Sequence, residues 1–108
     1  MHELSIATAV VETCAEYAAG ARILRVRVEV GQLAAVLPDS LRFCFEVCAK
    51  GTVAEGAELE ILETPGRALC EACGEVITLA SPFGRCECGG LLRIVSGDDL
   101  RVKDMEIE

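Results

Sequence analysis

Residues 70–90, CEACGEVITLASPFGRCECGG, hold four of the seven cysteines of this 108-residue chain. Cys70 and Cys73 form a CxxC pair, Cys86 and Cys88 form a CxC pair, and twelve residues separate Cys73 from Cys86. A CxxC turn aims two thiolates at one point. The glycine behind each pair, Gly74 or Gly89, permits a tight turn with backbone N–H groups facing the sulfurs. Two such turns at opposite ends of a hairpin supply a tetrahedron of sulfur, the arrangement zinc takes in structural sites. Between the pairs, EVITLASPFGR reads as a short strand followed by a Pro-Phe-Gly turn. It has too few large apolar residues to fold alone, so a metal is expected to hold it. The CxC pair is one residue shorter than CxxC, which leaves two ligand sets open: four sulfurs, or three sulfurs with another ligand. Glu87 offers an oxygen, but it lies between Cys86 and Cys88 and is expected to point away. A redox dithiol is the competing chemistry, and it calls for CxxC beside a βαβ unit, a pattern missing here.

Outward from this module the chain alternates between two periods. Residues 57–64, AELEILET, and 99–107, DLRVKDMEI, have the twofold alternation of strands, with an irregularity expected near Asp104. Pro65 and Gly66 break the first of these. Residues 22–30, RILRVRVEV, form the clearest strand, with Val26, Val28 and Val30 on one side and Arg25, Arg27 and Glu29 on the other. Residues 3–19 predict a helix whose buried face holds Leu4, Ala7, Val11, Cys14 and Ala18, with Val10 and Tyr17 alongside, and Gly20 as its stop. After a loop, QLAAVL, Pro38 opens a second helix, where its missing N–H costs nothing. Leu41, Cys44, Phe45 and Cys48 form its apolar stripe, and Lys50 and Gly51 end it. Cys14, Cys44 and Cys48 are thus expected in the core as small hydrophobes. The fold class that follows is α+β: a three-stranded sheet covered by two helices, with an inserted zinc-ribbon-like four-cysteine module. Two domains are expected, one of residues 1–65 plus 97–108 and one of residues 66–96.

Charge and composition narrow the function. The formal net charge is -8, which disfavours nucleic acid and anionic membranes as partners. Within residues 67–96 the arginines 67, 85 and 93 are balanced by the glutamates 71, 75 and 87, with no basic stripe or aromatic platform. No apolar run approaches the roughly 18 residues that span a bilayer. The first twenty residues lack the basic start of a signal peptide. An odd cysteine count with four crowded together fits a reducing compartment and a metal better than disulfides. A cytoplasmic protein is expected, a monomer with a dimer as the alternative.

His2 is the only histidine. That removes histidine-based triads, and a cysteine redox enzyme would find no histidine base, so no enzyme is expected. Methionine removal generally requires a small second residue, so Met1 is expected to stay, with a free amine. The Met1 amine, the amides of His2 and Glu3 and the His2 imidazole then offer four nitrogens near one plane, a set that suits Ni(II) or Cu(II). The Glu3 carboxylate is an oxygen donor for a six-coordinate ion. A solvated terminal histidine with no role is the plain alternative.

The opening MHELSIATAV, the stretch RFCFEVCAKGTVAEGAELEI and the cysteine module followed by GDDLRVKDMEIE together resemble the HypA/HybF family over essentially the whole chain. The resemblance implies a nickel metallochaperone for maturation of the [NiFe]-hydrogenase large subunit. It implies nickel as cargo on Met1, His2 and Glu3, and a structural zinc on Cys70, Cys73, Cys86 and Cys88. It also implies a HypB-type GTPase as partner and, in some members, urease and its accessory proteins. The CxC pair departs from the CxxC usual in that family. The alternative function is a zinc-ordered protein-interaction module without nickel cargo.

Overall fold

The computed structural model describes residues 3–81 and 84–108. The chain divides into two compact units. One takes in the chain up to Glu29, Val36–Leu62 and Arg101–Glu108; the other takes in Val30–Ala35 and Glu63–Leu100.

The first unit is the α+β layer expected from the alternation of periods. Helix α1, Glu3–Ala18, packs against helix α2, Pro38–Ala49. Strands β1, Ile23–Gly31, β2, Glu58–Thr64, and β6, Leu100–Ile107, form a sheet in the order β2-β1-β6. Val26, Val28 and Val30 are buried on one side of β1, and Ile23 is buried at its start. The helices cover that side with Ile6, Ala7, Val10, Val11 and Cys14 from α1 and Leu41, Phe45 and Ala49 from α2. The other side is wet and carries ion pairs between neighbouring strands. Arg25 reaches Glu60 at 3.6 Å and Glu106 at 2.9 Å, Arg27 pairs with Asp104, and Arg101 reaches Glu29 at 3.0 Å. Exposed pairs of this kind add little stability individually, but they match charge to charge across the face the valines do not occupy.

Several sequence expectations need correction here. Leu4 and Tyr17 are 54% and 79% exposed, so they lie off the buried face of α1, and Ile6 takes a place on it. Cys44 and Cys48 are half-buried while Ala49 is buried, which turns the α2 stripe by part of a turn from the expected one. Helix α1 ends as expected at Gly20 (φ +93), although Ala19 already has a positive φ of 50. No described helix is long and apolar enough to cross a membrane.

The second unit is built on β3, Gly66–Cys70, flanked by β4, Val76–Leu79, and β5, Leu92–Ser96, both antiparallel to it. The sequence pattern shows only one of these strands. Pro65 does interrupt, but Gly66 opens β3 at once. Gly66 has no room for a side chain, since a Cβ there would lie 2.3 Å from Leu33 Cγ. Leu33 comes from QLAAVL, which is a short 3-10 helix, Gln32–Ala34, and not a plain loop. Its amide donates to the Gly97 carbonyl at 2.8 Å, and its side chain packs with Ala68, Leu79 and Leu92. Among the described residues this is the core of the unit, and it is very small.

The first unit rests on side-chain packing. Phe45 is 2% exposed and is the largest fully buried side chain. Phe45→Ala is expected to lower stability by about 3–5 kcal/mol, whereas Tyr17→Ala on the exposed side of α1 should stay within about 0.5 kcal/mol of the parent. Urea unfolding followed by the helical circular dichroism signal measures both.

Candidate metal centre

The four cysteines arrive from the two ends of the small sheet. Cys70 is the last residue of β3, and Cys73 closes the turn leading toward β4. Cys86 and Cys88 stand on the turn before β5. The first turn is fixed by the Gly74 amide donating to the Cys70 carbonyl at 2.9 Å, and the second by the Gly89 amide donating to the Cys86 carbonyl at 2.9 Å. Both glycines have positive φ, 77 and 82, with open space where a Cβ would stand, so torsion is what selects glycine at these positions. The Glu71 amide donates to the Leu91 carbonyl at 2.9 Å and ties one turn to the other.

The result is a cluster in which all four sulfurs lie within 4.8 Å of one another. Cys70 Sγ and Cys88 Sγ are 3.4 Å apart, and Cys73 Sγ and Cys86 Sγ are 3.6 Å apart. Disulfide sulfurs would be about 2.05 Å apart, and all seven cysteines are free thiols. Zinc–sulfur bonds of about 2.3 Å imply tetrahedron edges of about 3.8 Å, close to the separations present. The residues therefore fit zinc. The CxC pair presents both of its sulfurs, and Glu87, which is exposed, is not part of the cluster.

Backbone amides are aimed at the sulfurs. The Cys73 amide approaches Cys70 Sγ at 3.5 Å, and the Gly90 amide approaches Cys88 Sγ at 3.3 Å. The amides of Glu75 and Cys88 serve Cys73 and Cys86 in the same way. Such donors favour the thiolate, but four thiolates in so small a volume repel one another. The cluster resolves the conflict unevenly. The Cys70 thiol is drawn down to about 6, chiefly by the Cys73 amide. At Cys86 the Cys88 amide favours the thiolate, yet the Cys88 sulfur, burial and the sulfurs of Cys73 and Cys70 outweigh it and push the thiol up to about 12. The Cys73 thiol is also raised: the Glu75 amide works the other way and is outweighed, with the Cys70 sulfur the largest opposing effect. A divalent cation removes the conflict by neutralising the group as a whole.

The other sequence-identified residues stand elsewhere. Met1 and His2 lie outside the described residues. The Glu3 carboxylate accepts the Leu37 amide at 3.3 Å and the Ser40 hydroxyl at 3.5 Å, and the Leu37 amide is the main cause holding it below the usual carboxylate range. Helix α2 has no side-chain cap from Leu37 itself, so Glu3 satisfies a backbone group at that helix's start. Cys14 is buried and its thiol is raised by that burial. Cys48 Sγ lies 3.3 Å from Thr8 Oγ1. Two contributors were missed from sequence: Leu33, which no spacing rule ties to the cysteines, and Gly90, which the double glycine after Cys88 could have flagged.

A family model described as hydrogenase/urease nickel incorporation, metallochaperone, hypA matches residues 1–107. The chain belongs to the HypA family. It is 50% identical over 109 residues to the hydrogenase maturation factor HypA of Trichormus variabilis, covering 100% of this chain and 96% of that one. It is 46% identical over 110 residues to the HypA of Geobacter metallireducens, covering all of both chains. Among solved structures it is similar to the Ni metallochaperone HypA from Helicobacter pylori, with a TM-score of 0.72 and 26% identity over 99% of this chain and 97% of that one. HypA proteins are maturation factors of the nickel metallochaperone family, and this member carries a four-cysteine cluster suited to zinc.

The raised thiols give this HypA-family cluster a pH dependence. Metal binding must displace the protons that Cys73 and Cys86 retain at neutral pH in the metal-free cluster. Zinc affinity should therefore fall by at least about a hundredfold for each pH unit lowered from 7, at least these two protons being displaced per ion. Competition with a chromophoric chelator at pH 7 and pH 6 measures this slope.

Proposed function

We propose that this chain carries Ni(II) on its N-terminus and delivers it during maturation of the [NiFe]-hydrogenase large subunit. The observation that carries the proposal is the reach of the family match, which begins at residue 1 and so includes Met1-His2-Glu3. Hydrogenase is the proposed recipient because the relatives at 46–50% identity over the whole chain are hydrogenase maturation factors. A HypB-type GTPase is the proposed partner, and the cytoplasm the proposed setting.

The donors proposed for nickel are the Met1 amine, the amides of His2 and Glu3, and the His2 imidazole, a nitrogen set suited to a square-planar ion. The contacts of the Glu3 carboxylate support this division of labour. With its oxygens taken by Leu37 and Ser40, Glu3 is left to contribute its amide and to hold the start of α1 beside the start of α2. Donors drawn from one chain end form an open site from which the ion can leave by ligand exchange. In the proposed two-domain scheme, residues 1–65 with 97–108 bear the nickel and residues 66–96 bear the zinc. Cys70, Cys73, Cys86 and Cys88 would hold the zinc, a permanent crosslink for a sheet whose core among the described residues is small.

On zinc-replete protein, His2→Ala is expected to abolish nickel binding in isothermal titration while zinc stays at about one per chain. Undiminished nickel binding by the variant would leave a zinc-ordered interaction module as the better account. Nickel affinity should also weaken as pH falls through about 6.5, the reference pKa of histidine, because only neutral imidazole is a ligand. Equal affinity at pH 5.5 and 7.5 would exclude N-terminal ligation.

A further inference from the structure

We infer that Gly90 is a positioning residue for the zinc, the residue that lets the shortened Cys86-Glu87-Cys88 pair close the sulfur cluster. The inference rests on the zinc reading given above. Three glycines follow the cysteine pairs, and they are glycine for different reasons. Gly74 and Gly89 have positive φ and empty space around a notional Cβ. Gly90 has no positive φ, but a Cβ there would lie 2.6 Å from Ala72 Cβ, 2.8 Å from Cys70 Sγ and 3.2 Å from Cys88 Sγ. Real Cβ atoms do not approach other heavy atoms below 3.0 Å. Proximity, not torsion, selects glycine at this position.

The three contacts come from both turns: Ala72 and Cys70 from the first, Cys88 from the second. Gly90 therefore sits where the turns meet, against the two sulfurs that are 3.4 Å apart. With one residue fewer between Cys86 and Cys88, the chain leaving the second turn runs close over the sulfurs. It cannot back away freely. The Gly90 amide is engaged with Cys88 Sγ at 3.3 Å, and the next carbonyl, that of Leu91, is held by the Glu71 amide at 2.9 Å. A methyl at position 90 must then displace Cys70 Sγ or Cys88 Sγ, although every ligand remains in the sequence.

The test compares the full-length chain with Gly90→Ala, using Leu91→Ala as a neighbour control, since Leu91 is 79% exposed. Zinc affinity is measured by chelator competition, and the number of bound thiolates by the sulfur-to-metal charge-transfer band of the Co(II)-substituted protein. Gly90→Ala is expected to lose about 10- to 100-fold in zinc affinity and roughly a quarter of the charge-transfer intensity, one thiolate of four. Leu91→Ala should match the parent. Parent affinity and an unchanged cobalt spectrum in Gly90→Ala would overturn the inference. Failure of the parent itself to bind zinc would instead overturn the zinc reading. Ala72→Gly/Gly90→Ala removes the carbon clash and keeps the sulfur one, so it serves where the single variant does not fold. It should still show the weakened band, and full recovery would overturn the sulfur contact as the cause.

Discussion

Four sulfur atoms held within 4.8 Å cannot all be thiolates without a cation among them. The pressure of that arrangement is visible in the thiols, with Cys70 drawn down to about 6 and Cys86 pushed up to about 12. The rest of the second unit follows from it. Among the described residues its core cluster is Leu33, Ala68 and Leu79, with Leu92 partly covered, little apolar surface to set against the entropy of ordering the chain. The order comes from turns that aim amides at sulfur, from glycines placed where the turns bend back or meet, and from a charge balance that a divalent ion completes.

The first unit obeys the opposite logic. Its core of Phe45, Ile23, Leu41, Val26 and Val28 is closed by side chains, and among the described residues no polar or charged one is buried. Charge stays toward solvent, and on the wet side of the sheet Arg25, Arg27 and Arg101 each face an acid on a neighbouring strand. Because side chains close this core, the cargo proposed for the N-terminus could leave without taking the fold with it. The contact of Glu3 with Leu37 and Ser40 fixes the base of that end to the helix layer.

Much of this was legible in the sequence because it rests on local periodicity and spacing. RVRVEV can bury one face only, so β1 and its wet side were readable. Pro38 fixed the start of α2, and the paired cysteines announced the cluster. What escaped depends on tertiary partners. The α1 face was misjudged at Leu4 and Tyr17, since a 3.6-residue period admits a stripe rotated by a residue and only the position of α2 selects one. Strands β3 and β5 are short and mixed in character, and they become strands by pairing with each other. Leu33 belongs to the cysteine unit although more than thirty residues separate it from Cys70. The shortened CxC pair leaves two ligand sets open from sequence; the structure brings both of its sulfurs into the cluster, beside Gly90, which has no room for a side chain.

The two proposed metal sites also explain how one small chain keeps two divalent ions apart. Intrinsic affinity does not sort nickel from zinc cleanly, so donor type and closure must do it. The cysteine cluster brings four soft sulfurs within 4.8 Å of one another, a donor set that suits zinc. The N-terminus offers no sulfur donor of that kind. With a single imidazole in the entire chain, it cannot build a histidine cage either. The proposed site would instead use an amine and backbone amides, a near-planar nitrogen set that suits Ni(II) and whose protons would have to leave first. On this proposal the scarcity of thiolate at one end and of imidazole everywhere else would divide the ions by chemistry, with the exchangeable site left for the ion to be passed on.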